Sequence, residues 1–131
     1  MTIRDAIPAD CDAVLALWRL TTRPSPTDTA EDVHRFVAAS PGLFLVADAG
    51  GDVVGTVLGG WDHWRGHVYR LAVHPAHRRR GVARALATEI ERRLHARGAR
   101  SIHALAISDL GERFWTALGY DRTSDVDFAR R

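Results

Sequence analysis

Apolar positions along the chain change period repeatedly, and each change marks an element. Thr2-Ile3-Arg4-Asp5-Ala6 reads as a short strand. Pro8 suits the first turn of a helix, and Val14, Leu15, Leu17 and Trp18 give that helix an apolar stripe to about Leu20. Thr21-Thr22-Arg23-Pro24-Ser25-Pro26 has the composition of a loop. A second helix opens at Thr27 or Asp28, carries Val33, Phe36 and Val37, and stops at Pro41-Gly42. Leu43 to Ala47 and Val53 to Leu58 flank Gly50-Gly51-Asp52, which predicts an antiparallel hairpin. A further strand runs from His67 to Val73, preceded by a turn that includes Trp61 to Gly66. From Gly81 to about Arg97 the helical period is clearest. Val82, Leu86, Ile90 and Leu94 recur every four residues, and Gly98 supplies the stop. Ser101 to Ile107 predicts a strand, Ser108 or Asp109 caps a helix reaching about Leu118 before Gly119, and Tyr120 to Phe128 predicts a last strand. The order is β-α-α-β-β-β-α-β-α-β, an α/β arrangement with a mixed sheet and helices on both faces.

Length and composition narrow the class. At 131 residues, 46% hydrophobic and 26% charged, the chain is sized for a single globular domain spanning 1–131. No apolar run approaches the roughly 20 residues that span a bilayer, and the first residues lack the apolar stretch of a secretion signal. A cytoplasmic protein with no membrane partner is expected. Cys11 is the one cysteine, so an internal disulfide is excluded and a metal site is not expected. All 18 basic residues are arginines. Without lysine there is no Schiff-base chemistry and no nucleotide-triphosphate loop. A net charge of +2 argues against a general nucleic-acid binder, yet Arg78, Arg79, Arg80 and Arg84 are clustered, which fits a small anionic ligand.

That cluster lies in the most informative segment, Leu71 to Leu86. A strand ends at His74-Pro75, a tight turn follows, and a long helix begins. The first amides of a helix lack internal acceptors and carry the positive end of its dipole, so they form a phosphate site. Gly81 and Ala83 are small enough for a ligand to approach the backbone.

Leu71-Ala72-Val73-His74-Pro75 followed by Arg78-x-x-Gly81-x-Ala83 resembles the acyl-CoA signature of the GCN5-related N-acetyltransferases, Arg/Gln-x-x-Gly-x-Gly/Ala. Val53 to Val57 and Phe114 to Tyr120 resemble the family's other two markers, so the resemblance covers nearly the whole chain and is nearest to the small stand-alone bacterial members. It implies transfer of acetyl from acetyl-CoA to a primary amine, a small molecule or a peptide terminus, by direct attack in a ternary complex. It implies that Leu71, Ala72 and Val73 offer backbone groups to the pantetheine arm. The amides from Arg79 through Arg80, Gly81, Val82 and Ala83 to Arg84 would hold the pyrophosphate, with Arg78 beside them. Ser108 stands where the family has a cofactor-binding asparagine. The thioester would lie where the strands 67–73 and 101–107 splay apart, with the Val73 amide as oxyanion donor.

The chemistry further requires a base, because an ammonium has no lone pair. His67 aligns with a catalytic glutamate or histidine of some members, His103 with a glutamate of others, and Tyr69 shares a strand face with His67. Asp62 and His63 fall in the neighbouring turn near the cleft mouth, where they could relay a proton or bind the acceptor, although a solvated turn is the simpler reading. Trp115 replaces the family's acid tyrosine. An indole cannot give up a proton near neutrality, so Trp115 packs against the pantetheine, polarises the sulfur through its N–H, or is a packing residue of the last helix. Trp61, Trp64 and residues 21–27 border the acceptor mouth, which allows an aromatic or apolar acceptor, while Arg65 and Arg70 allow an acidic one. A degenerate acyl-CoA sensor is the alternative function, and the oligomeric state, a homodimer included, stays open.

Overall fold

In a computed structural model describing all 131 residues, a five-stranded sheet has the order β1-β2-β3-β4-β5. The strands are β1 (Thr2–Asp5), β2 (Phe44–Ala49), β3 (Asp52–Trp61), β4 (Gly66–Val73) and β5 (Ile102–Ala104). All neighbours run antiparallel except β4 and β5, which are parallel. α1 (Cys11–Thr21) and α2 (Ala30–Ala39) cover one face of the sheet, and α3 (Val82–Ala96) and α4 (Asp109–Ala117) the other. No helix is long and apolar enough to cross a membrane.

Each face owns a core. Val14, Leu17, Trp18 and Val33 pack on Phe44, Val46 and Leu58 on one side. On the other, Leu86, Ile90 and Leu94 of α3 pack on Leu45, Val57 and Val68. Gly59 lets α3 lie close: a Cβ there would meet Ile90 Cδ1 at 2.8 Å. Arg4 ties the first strand down by donating to both oxygens of buried Asp10, at 2.8 and 2.9 Å, and to Asp48 at 3.0 Å.

Several expectations change at their edges. The first helix begins as a 3-10 turn at Pro8–Asp10, and α2 starts at Ala30 with Thr29 as its cap. Trp61 belongs to β3 rather than to the following turn. The strand expected over 101–107 pairs only at Ile102–Ala104, opposite Gly66–Val68. The final strand expected over 120–128 does not form; residues 121–131 are exposed and without regular structure. A three-residue β5 leaves little edge for another strand to join, and the segment's alternating aspartates have no face to shield.

The early end of β5 has a local cause in β4. Gly55 pairs with Val73 and Thr56 with Ala72, but Leu58 pairs with Tyr69, so β4 has one residue more than β3 across this step. The extra residue is Arg70, with φ at +50°. Such a bulge turns its strand and reverses the alternation beyond it. Val68 therefore packs on the α3 side, whereas Ala72, four residues on, packs on the α1/α2 side.

Candidate active site

The bulge is held by Thr56, which is fully buried on β3. Its hydroxyl donates to the Arg70 carbonyl at 2.9 Å and accepts from the Trp18 indole N–H at 2.9 Å. Beyond the bulge, the backbone directions of β4 follow from the ladder. His74 N–H bonds the Val54 carbonyl, so the alternation of an antiparallel pair turns the Ala72 groups toward β3 and those of Leu71 and Val73 away from it. With β5 paired only as far as Ala104, Leu71 and Val73 face a gap in the sheet. Of the three residues expected to offer backbone groups there, Ala72 does not, because its own are directed into the ladder.

At the end of β4 the chain makes a 3-10 turn at Pro75–His77, and the His74 imidazole accepts from the Ala76 amide at 3.1 Å. Arg79 and Gly81 then take left-handed φ values of +63° and +79°. Gly81 is the N-cap of α3 and has no side chain to give, so the amides of Val82, Ala83 and Arg84 point out of the helix end uncapped. A Cβ on Gly81 would stand in open space, where a ligand could reach those amides. Arg78, Arg79, Arg80 and Arg84 are exposed, and none is ion-paired, unlike Arg4, Arg35, Arg70, Arg92 and Arg93. Four free guanidinium groups around an uncapped helix N-terminus are an arrangement suited to an anion.

At the other end of β4, His67 and His103 are register partners across the parallel pair, with ring centroids 6.1 Å apart. Tyr69 stacks on the far side of His67 at 6.0 Å. His67 Nε2 lies 3.2 Å from Asp62 Oδ2. The other Asp62 oxygen accepts the amides of Arg65 and Trp64 at 2.7 and 2.9 Å. These bonds, the Arg65 amide above all, hold the Asp62 carboxyl down at about 2. An ionised carboxylate only accepts, so His67 Nε2 carries the proton and Nδ1 is left as the basic nitrogen. His103 has a weaker partner, the Ser101 hydroxyl at 3.1 Å. Burial raises the Tyr69 phenol above its ordinary range, helped by the carboxylates of Asp62 and Asp127.

Two expected residues are otherwise engaged. Ser108 caps α4, its hydroxyl accepting the Gly111 amide at 3.1 Å. Trp115 packs in the α3-side core at 7% exposure, edge-on to Phe114 and Tyr120 at 5.1 and 4.7 Å. Asp62 is the residue that reasoning from the sequence ranked too low, preferring a solvated turn to a proton relay. Its i+2 and i+3 amides and a histidine five residues on are an Asx-turn pattern that could have raised its standing.

A pocket of about 270 Å³ opens on the α1/α2 side of β4, with Tyr69 and Arg70 on its rim and Trp18, Phe36 and Phe44 among its walls. A larger concavity of about 590 Å³ lies on the outer face of α4 against Asp109, Glu112 and Arg113, and none of the candidate catalytic groups borders it.

An uncapped helix end ringed by arginines, a parallel pair that parts beyond Val68 and Ala104, and a carboxylate-anchored histidine within its paired stretch are parts that suit a transferase with a phosphate-tethered donor. Residues 12–120 match the model of the acetyltransferase (GNAT) family, and the chain belongs to that family, whose activity is acetyl-CoA-dependent N-acetylation. It is 42% identical over 110 residues to "Acetyltransferase ECA0875" of Pectobacterium atrosepticum, covering 83% of this chain and 78% of that one. Its fold matches Ard1 from Thermoplasma volcanium with a TM-score of 0.83 at 24% identity, over 94% of this chain and 84% of that one. The aminoglycoside acetyltransferase AAC(6')-Iy, solved with the bisubstrate analogue CoA-S-monomethyl-acetylneamine, matches with a TM-score of 0.81 at 20% identity, over 99% and 97% of the two chains.

Proposed function

We propose that the chain carries acetyl from acetyl-CoA directly to a primary amine in a ternary complex, with His67 as the general base. The observation that carries this reading is the pairing of edge N–H groups at Leu71 and Val73 with the uncapped amides of Val82, Ala83 and Arg84, all following the strand that carries the His67–Asp62 pair. The site fits the cosubstrate. The uncapped amides of Val82, Ala83 and Arg84 and the clear space at Gly81 suit a pyrophosphate, and the free arginines suit further phosphate. The edge groups of Leu71 and Val73 suit an amide-bearing arm added like a strand. Acetyl-CoA supplies an acyl thioester activated toward amines.

The chain's own groups then have distinct tasks. His67 Nδ1 removes the proton of the incoming ammonium, directly or through one water, and Asp62 stabilises the resulting imidazolium. The Leu71 N–H, turned away from β3 like that of Val73 but four residues from His67 rather than six, donates to the carbonyl oxygen as it gains charge. No acid is required at the sulfur, because a thiol of pKa near ~8.5 is a fair leaving group. Trp115 supports this site from behind as packing. The AAC(6')-Iy complex, in which CoA and an acceptor are joined in one analogue, accords with a ternary complex on this fold.

The test is acetyl-CoA titration by calorimetry together with thiol release in the presence of amines. Wild type should bind acetyl-CoA and release thiol only with an amine present. His67→Ala should keep that binding and lose roughly 10²–10⁴-fold in turnover. Equal loss on His103→Ala with His67→Ala unaffected would transfer the base to β5.

A further inference from the structure

The pocket beside Tyr69 has walls whose charges are already neutralised. Arg70, the bulge residue, pairs with Asp28 at 2.8 Å, donates to the Thr22 hydroxyl and to the Arg23 carbonyl, and lies 5.1 Å over the Trp18 ring. The second Asp28 oxygen accepts the Ser25 amide at 3.0 Å. Asp32 is likewise spent, one oxygen on Arg35 at 3.1 Å and the other on the Thr29 hydroxyl at 2.7 Å. Arg70 and Asp28 are each about four-fifths buried at the side chain, so their pairing is shielded from water and hard to exchange. What remains for a ligand is the apolar surface of Phe36, Tyr69 and Leu58 over Trp18 and Phe44. The volume, about 270 Å³, is just below the ~300 Å³ at which pockets for larger ligands begin, so the occupant is small.

We infer that the acceptor is a small primary monoamine with an apolar body about the size of one aromatic ring and no carboxylate, seated past Tyr69 with its amine at His67. This rests on the acetyltransferase reading and refines its substrate. An amino acid would bring a carboxylate to a guanidinium that Asp28 already holds, and would leave like charges facing each other. A polyamine would bring a second ammonium to carboxylates whose charge Arg70 and Arg35 already offset. A neutral ring meets neither penalty and stacks on the Tyr69–His67 row, whose rings lie 6.0 Å apart.

The experiment compares 2-phenylethylamine with phenylalanine, which differs only by the carboxylate, and with spermidine. Thiol release gives kcat/KM, and ligand-observed NMR on the CoA-bound protein gives affinity without turnover. 2-Phenylethylamine should lead both others by about tenfold or more in each measurement. Asp28→Asn releases Arg70 and should close the phenylalanine deficit by about tenfold, while Phe36→Ala should weaken 2-phenylethylamine and leave acetyl-CoA affinity alone. Phenylalanine or spermidine matching 2-phenylethylamine in wild type, or an unchanged phenylalanine deficit in folded Asp28→Asn, would overturn the inference while the enzyme class stood. The predicted order in binding with no thiol released from any amine would instead remove the acetyltransferase reading and leave the pocket's preference supported.

Discussion

Thr56→Val changes one hydroxyl to a methyl at nearly constant volume, and the structure sets its cost. The hydroxyl is the partner of two groups that water does not replace: the Trp18 indole N–H and the Arg70 carbonyl, each at 2.9 Å. Thr56 is fully buried and Trp18 is 4% exposed. Orphaning a buried donor or acceptor costs about 1–3 kcal/mol. Two such losses, less about 1 kcal/mol gained by burying the new methyl, leave a net destabilisation of roughly 1–5 kcal/mol. Against a total stability of about 5–15 kcal/mol that is a large fraction. In urea the midpoint should fall by about 0.5–2.5 M for a slope of about 2 kcal/mol/M. Thr56→Ser keeps both hydrogen bonds and loses one methyl, for about 1 kcal/mol. The functional signature should be one-sided. A loosened bulge displaces Arg70 and Tyr69, so kcat/KM for the amine should drop while acetyl-CoA affinity holds within about twofold, since the phosphate site lies beyond it. If Thr56→Val is no more destabilising than Thr56→Ser, the hydroxyl does not hold the bulge and the reasoning fails.

Gly81→Trp should raise the acetyl-CoA dissociation constant well over ~10-fold, measured calorimetrically, by filling the open space before the α3 amides and straining a left-handed residue; Arg78→Ala should do less, because backbone donors share the load. Asp62→Asn turns an amide N–H toward His67 Nε2, and should cost roughly 10-fold or more in kcat, with acetyl-CoA affinity kept and a changed pH–rate profile. Arg92 and Arg93 hold the Glu89 carboxyl down at about 2, so its contribution is full above its unfolded pKa near ~4.3 and is lost as pH falls through about 2. Urea midpoints should therefore decline over that acid window, less steeply in Glu89→Gln. The Tyr120 hydroxyl is buried with no partner at good hydrogen-bond geometry, the Glu91 carboxylate being the polar group that faces it, and Tyr120→Phe should change stability by no more than about 1 kcal/mol in urea titrations.

Local signals served well where the physics is local. The four-residue period of Val82 to Leu94, the glycine turn at Gly50-Gly51 and the helix stops at Gly98 and Gly119 give elements found within a few residues of their expected places. The uncapped start of α3 was legible for the same reason, since it is written in consecutive residues. The bulge was not. Nothing in Tyr69-Arg70-Leu71 marks an extra residue, because the bulge exists only relative to β3 and depends on Thr56, 14 positions away. The same blindness shortened the list of site residues. Arg70 read as a free charge because its partner Asp28 is 42 positions distant. Asp62 read as solvent-facing because only the strand turn brings His67 back to it. The last strand was over-read from alternation alone, where no edge awaited it.

The bulge at Arg70 also sets what a change of register would do to this chain. Everything from Leu71 to Val73 is shifted by one position relative to an uninterrupted ladder. Pairing β4 straight on, with no residue set aside at Arg70, is thus not a small adjustment but an inversion. The side chains of Leu71 and Val73 would exchange faces with that of Ala72, and the peptide groups now facing the gap would turn into β3. The sheet would become more regular and better bonded, and the opening that makes it useful would close. In this strand register is the sensitive property, and the reading frame of the pleat is as much a part of the active site as any side chain.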